Sequence, residues 1–460
     1  MSVANTRDER PEKKLAEEKS ENERLVIFSD GVIAIALTVA AISIKIPKDI
    51  MHEFHADIFL AHIFSYILSF VFVYSLWKEH HTIFHHIKRN DGWLIALNSL
   101  YLAMVILIPI GLVMMDVEIQ AGTPITDTDI PNGASFLLFL GALLGASLVL
   151  PLMWRHARLR RLGDLFGEEK PPRAFMVYTT WRLSALPISL IFYVPTYLFI
   201  RQGHWYIGVG LVILFTVARW LFFQLYRHRL RDNLDVSTGS ENTTRIQLFS
   251  DAIIGIAITI TAAQVDPGNG EAAKAITESW SLLGTYVFSF IIMGVYWLLH
   301  YHLFRFVERY DSTLIVLNFS FLLLIILMFI PARVYTSHMG RWEASVIFSV
   351  WQLLTSCVLC AVWQHAAYKS RSTRTPRLLK RDAATYKRRR FARILQANPL
   401  IFLVLGVTGC FVAIPTVLYI LIYLSLLGCA WLVSHRVAHH SHQRELKQQQ
   451  TESQPDTVLV

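Results

Sequence analysis

Charge is what this sequence has least of. Asp, Glu, Lys and Arg make up 17% of its 460 residues, where soluble domains average about 25%. Cysteine is scarce too. The four present, Cys357, Cys360, Cys410 and Cys429, all fall inside apolar runs, which excludes a disulfide framework for a secreted fold. Cys357 and Cys360 have C-x-x-C spacing, but within lipid such a pair reads as small packing residues rather than a redox centre. There is no Gly-rich phosphate loop, no nucleophile elbow and no H-E-x-x-H, so no enzyme chemistry and no cofactor are expected. His81 with His85, and His435 with His439, stand at i, i+4, yet neither pair has a third ligand in register, and no metal site is predicted.

What is abundant is apolar sequence in long blocks. Hydrophobic residues reach 54% and gather in runs of about twenty, the length of a membrane-spanning helix. Twelve runs can be drawn, at 25–46, 60–80, 93–114, 135–154, 183–201, 205–226, 246–265, 280–300, 313–332, 343–363, 398–416 and 417–434. The fold predicted is an all-α membrane protein, because a helix satisfies its own backbone hydrogen bonds in lipid. The polar head before the first run does not read as a cleavable signal, and that run is too long for an h-region.

Basic residues collect in alternate loops. Segments 155–182 and 364–395 are rich in Lys and Arg, and 85–91 and 227–232 are basic too, whereas 115–134 has acids and no Lys or Arg. The positive-inside rule puts the basic loops and both termini in the cytosol. The net charge of +9 is then explained by orientation signals and anionic-lipid contacts, with no role for nucleic acid. A cysteine at Thr126 should react with an impermeant thiol reagent applied from outside, and one at Ser372 should not. The reverse pattern would overturn this orientation.

The most informative feature is an internal repeat. "RLVIFSDGVIAIALT" from Arg24 returns as "RIQLFSDAIIGIAIT" from Arg245. Trp77 pairs with Trp297, His80 with His300, Asp91 with Asp311 and Asn98 with Asn318, and the fourth runs end "MWRHA" and "VWQHA". The chain divides into a polar cytosolic tail (1–23), a six-helix repeat (24–232), a cytosolic linker (233–244), a second six-helix repeat (245–435) and a cytosolic C-terminal tail (436–460). Both tails are expected to be flexible. Six spans are an even number, so the two repeats are parallel.

On the first helix, Gly31, Ile35, Thr38 and Ile42 share a stripe, matched by Ala252, Ile256, Thr259 and Ala263. Two readings stay open from periodicity. Facing an axis, Ile35 and Ile256 form an apolar constriction, with Thr38 and Thr259 a hydroxyl ring one turn beyond. Facing another helix, the same residues are an ordinary interface. Arg24, Ser29 and Asp30, with Arg245, Ser250 and Asp251, need polar partners. Trp77, His80, His81, Asp91 and Asn98, and in the second half Trp297, His300, Asp311 and Asn318, are the candidates, acting as a polar clamp on the first helix or as a proton relay. Lys45 and Asp266 fall at equivalent positions at the outer end of that helix.

The R-x-x-x-F-S-D-[GA] signature, with Phe28 and Phe249 in it, heads two six-helix repeats and is accompanied by the W-x-x-H and later Asn. In this the chain resembles the transmembrane protein 175 family, the endosomal and lysosomal potassium channels and their bacterial relatives. The resemblance implies a homodimer in which four first helices surround a central pore. It also implies a potassium-selective leak with protons as a second permeant ion. It assigns the constriction to Ile35 and Ile256 and pore-facing hydroxyls to Thr38 and Thr259. It implies an endosomal or lysosomal membrane for a eukaryotic source and the plasma membrane for a bacterial one. No T-V-G-Y-G filter is present, so a carbonyl cage is not available. The competing readings are a secondary transporter with parallel repeats and a non-conducting membrane scaffold. Mid-span carboxylates, which a transporter needs, are nearly absent.

Overall fold

The computed structural model describes residues 9–42, 44, 56–87, 89–120, 134–160, 214, 243–263, 272–338, 341–371, 377–380, 385–412 and 414–452. The chain divides into two compact units, with the division between Ser237 and Thr238. Among the described residues the protein is helical, and seven stretches are long and apolar enough to cross a bilayer. Two lie in the first unit, Gly92–Met114 and Leu137–Leu159. Five lie in the second, Leu283–Phe306, Ser312–Ser337, Trp342–Ser370, Lys387–Gly409 and Thr416–Arg436. The runs expected at 183–201 and 205–226 fall outside the described residues but for Leu214, which is helical.

The first unit contains α1 (Glu9–Ile42), α2 (Ala56–His86), α3 (Gly92–Gln120) and α4 (Ala134–Leu159). Helix α1 packs on α2 and α3, while α4 packs on α3 and α2. Close approach of α3 and α4 depends on missing side chains. A Cβ at Gly111 would stand 2.8 Å from the Phe139 backbone nitrogen, and one at Gly145 would stand 2.9 Å from Met104 Sδ. Small residues at helix crossings are how spans gain van der Waals contact in lipid. Helix α1 begins at Glu9, so much of the head expected to be a flexible tail continues the first span as helix. Its Glu, Lys and Arg are good helix formers.

The second unit contains α5 (Thr244–Ala263), α6 (Ala272–Phe306), α7 (Ser312–Ile326), α8 (Phe329–Ser337), α9 (Trp342–Arg371), α10 (Thr385–Gly409) and α11 (Thr416–Glu452). The pattern of the first unit recurs. Helix α5 packs on α6 and α7, and α7 and α8 pack on α9. The third span of this repeat, expected as one helix, is in two pieces. Ile330 N–H bonds Leu327 O at 3.1 Å and Met328 N–H bonds Ile325 O at 3.1 Å, so the turn is tightened. Pro331 has no N–H to offer Leu327 O, which removes the helical bond at that place.

Two boundaries differ from the sequence expectation for a simple reason. Helix α10 starts at Thr385, so the basic string of the 364–395 loop is its first turns. Long basic side chains carry good helix propensity and lie where they reach water. Arg390 there sits 4.6 Å from the Trp431 ring of α11, a cation–π contact. Helix α11 runs on to Glu452, past the expected end of the span, into the segment expected to be a flexible tail. Pro399 lies inside α10 without ending it. The neighbouring Asn398 is buried and donates to Ser356 Oγ at 2.9 Å, while Tyr423 OH donates to Asn398 Oδ1 at 2.9 Å. That polar tie joins α9, α10 and α11, and no spacing in the sequence announces it.

Candidate functional site

In the first unit Ser29 lies on the buried side of α1, and its hydroxyl donates to Leu25 O at 2.8 Å. Its oxygen then accepts from Asn98 Nδ2 at 2.8 Å. With the amide nitrogen committed, Asn98 Oδ1 takes the bond from His80 Nε2, at 2.9 Å. One residue on, Asp30 Oδ1 accepts from the Trp77 indole at 3.0 Å. Helix α1 is thus gripped from α3 through Asn98 and from α2 through Trp77.

The second unit builds the same set. Ser250 donates to Ile246 O at 2.8 Å and accepts from Asn318 at 2.9 Å. His300 meets Asn318 Oδ1 at 2.8 Å, and Trp297 donates to Asp251 at 2.9 Å. The imidazoles are fixed from the side as well. His80 stacks on Tyr101 with an interplanar angle of 7°, and His300 stacks on Phe321 at 6°. Ser29, Asn98, His80, Ser250, Asn318 and His300 are buried. The direction of every bond in each chain is set, because it ends on a backbone carbonyl. Donation runs from imidazole to amide to hydroxyl to carbonyl, so the histidine Nε2 carries the proton. Each chain ends on a backbone carbonyl of the first helix and so ties that helix to α3 or α7.

The rest of the repeated helix is less symmetrical. Phe28 is 60% exposed, whereas Phe249 is 1% exposed and packs on Phe319 with ring centroids 5.6 Å apart. Ile35 is 49% exposed, and its counterpart Ile256 is half-buried. Thr38 is fully buried and gives its hydroxyl to Ala34 O and Ile35 O, while Thr259 is exposed and gives its own to Ile256 O. The two threonines expected to form one ring therefore face differently within their own units. Arg24 is exposed and Arg245 half-buried. Lys45 and Asp266 lie outside the described residues, as does the side chain of Ile42.

Asp91 and Asp311 belong elsewhere than the sequence placed them. Each caps the helix that follows, accepting from the N–H of Leu94 and of Leu314, both at 2.8 Å. Each also receives a histidine from the end of the fourth span. His156 Nε2 stands 3.0 and 2.8 Å from the two Asp91 oxygens, and His365 Nε2 stands 3.0 and 2.9 Å from those of Asp311. Burial pushes both carboxyls up. The backbone N–H, the histidine and a further cation, Arg160 or Lys369, outweigh it and hold both below the usual carboxylate range. The histidines belong to the repeated "MWRHA" and "VWQHA" endings, which was the available signal. Among the described residues, no three His, Cys, Asp or Glu side chains gather as a metal site. Cys357 and Cys360 are free thiols, and Cys360 donates to Leu395 O.

These features define a multi-pass helical membrane protein in which a bundle is repeated and the first helix of each copy is held by a buried Ser–Asn–His chain. The family described as "Endosomal/lysosomal potassium channel TMEM175" matches residues 24–109 and 245–331. In those two regions the chain is similar to the TMEM175 family. It is 28% identical to a potassium channel of Streptomyces collinus over 129 residues, 26% of this chain and 63% of that one. It is 37% identical to the endosomal/lysosomal proton channel TMEM175 of Bos taurus over 94 residues, 18% of this chain and 20% of that one. Against the protein of that name from Gallus gallus it is 21% identical over 387 residues, 77% of this chain and 75% of that one. The matched region thus spans less than two thirds of the Streptomyces channel.

Proposed function

We propose that the protein is a potassium-selective leak channel in which protons are a second permeant ion. The reading assembles four first helices, two from each chain of a homodimer, around one pore. Ile35 and Ile256 form its apolar constriction. The observation that carries it is the clamp built twice. A buried hydrogen-bond chain on one side fixes the rotation of α1 and of α5, and leaves Ile35 and Thr259 exposed. A bundle that spends so many buried polar groups on orienting a helix needs that orientation for something. The names of the relatives, potassium channel and proton channel, supply the class.

In this reading the clamp residues Ser29, Asp30, Trp77, His80 and Asn98, and their counterparts in the second repeat, hold the pore helix without touching the ion. Thr259 offers a hydroxyl oxygen to an ion that sheds part of its shell at the isoleucines. Thr38, its counterpart, is buried within its own unit and gives its hydroxyl to Ala34 O and Ile35 O. Basic cytosolic segments contact anionic lipid headgroups, and Lys45 and Asp266 set the field at the outer mouth. The membrane is endosomal or lysosomal in a eukaryote, and the plasma membrane in a bacterium.

Potassium flux through the purified protein in liposomes tests the function. A channel dissipates a potassium gradient without a co-substrate and without saturating. Saturating flux that needs a second solute means a transporter, and no flux above empty vesicles means a scaffold.

A further inference from the structure

The pore helices are held at one end by residues of α3 and α7, and these helices are themselves held by a titratable contact that the clamp does not use. Asp91 lies one residue before α3 begins, and Asn98 lies on its second turn. Asp311 and Asn318 stand in the same relation to α7. Whatever moves the start of α3 or α7 moves the amide that grips Ser29 or Ser250. His156 from the end of α4, and His365 from the end of α9, grip those starts across both carboxylate oxygens.

We propose that His156 and His365 are positioning residues whose protonation sets how firmly the pore helices are held, a proton latch at the basic-loop side of the membrane. The proposal rests on the channel reading above. Both histidines present Nε2 to the carboxylate, so Nδ1 is the nitrogen that gains or loses the proton. Imidazole changes charge between about pH 5 and 8. The carboxylates stay ionised there. Because their folded values are lowered, the stability they contribute is present above the ordinary aspartate range and is lost only as the pH falls through those lowered values. With the imidazole protonated the contact is an ion pair, and with it neutral a hydrogen bond.

The charged groups that bear on Asp91 are His156 and Arg160, both from α4; those that bear on Asp311 are His365 and Lys369, both from α9, with Lys369 Nζ at 3.5 Å. Arg89 and Arg309 lie in the same turns. Lys369 still pairs with Asp311, and Arg160 still bears on Asp91, when the imidazole is neutral, so raising the pH loosens the latch while a cation remains near each half-buried carboxylate.

The test is rubidium tracer flux through the full-length protein in liposomes, with equal pH on both sides, at about pH 5.5 and about pH 7.5. Wild type should differ between the two by roughly threefold or more. His156→Gln with His365→Gln keeps a neutral donor in place of Nε2. Its flux should be flat and equal to that of wild type at the higher pH. A variant that keeps the wild-type pH profile overturns the latch, and so does a wild type that conducts equally at both.

Thermal unfolding gives a second reading that does not depend on flux. The coupling between Asp311→Asn and His365→Gln should be larger at the lower pH, and equal coupling at both counts against the latch. If wild type carries no flux at either pH while the coupling behaves as stated, the channel reading fails and the latch stands.

Discussion

Replacing Ile35 and Ile256 together with Asn should raise potassium current by about tenfold, which needs only about 1.4 kcal/mol off the barrier. The same change should weaken discrimination of potassium over sodium. An apolar ring excludes water, and an ion that crosses it must give up much of its shell. An amide at that place holds water and offers a carbonyl oxygen to either ion, so the barrier falls and the preference falls with it. Exposure allows the test. Ile35 is 49% exposed within its unit, so an amide there is not stranded in the unit's own core. If these faces instead pack against protein, Asn introduces unpaired amides and the dimer yield drops. Current and reversal potential unchanged in a folded dimer would remove the two isoleucines from a conduction path.

Asn98→Leu with Asn318→Leu should act in the opposite direction, lowering both stability and current. Each substitution orphans a buried histidine N–H and strips a serine oxygen of its donor. An unsatisfied buried group costs about 1–3 kcal/mol. A loss near the middle of that range corresponds to a fall in Tm of roughly 4–8 °C for each repeat. Thermal unfolding in detergent checks it. The current should fall further than the loss of folded protein accounts for, since α1 and α5 lose the bonds that set their rotation. Normal current per folded dimer would mean that the clamp supports the fold and does nothing for the pore. The single variants should each give about half the shift, because each network is confined to its own repeat.

The clamp was legible in the sequence because its parts recur. Ser29, Trp77, His80 and Asn98 have counterparts at nearly constant spacing, and buried polar groups in lipid must find one another. Recurrence shows which positions matter but not which touch. Asp91 and His156 both stand in repeated motifs, yet the sequence grouped Asp91 with the clamp. The N-cap geometry of α3 directs its carboxylate away, towards the end of α4.

The stripe on the first helix had the same limit. A helical period puts Ile35 and Thr38 within a turn, but the clamp fixes the rotation of α1, and that rotation buries Thr38 while leaving Ile35 open. Phe28 and Phe249 diverge because Phe319 receives the ring in one unit and Asn98's neighbour on α3, Ser99, is the counterpart of that phenylalanine. The break before Pro331 and the early start of α10 were hidden by apolar continuity in one case and by charge in the other.

In the proposed channel the uncovered faces of α1 and α5 line the path of the ion. Thiol block of single-cysteine variants measures that directly, in a background with Cys357, Cys360, Cys410 and Cys429 replaced by alanine. Cysteine at Ile35 or Ile256 should let a charged methanethiosulfonate reagent stop most of the potassium current, more slowly at the half-buried Ile256. Cysteine at Ile33 or Ile254, both buried within their units, should leave it unaffected. A current that survives modification at Ile35 and Ile256, or that is blocked equally from all four positions, would contradict the account.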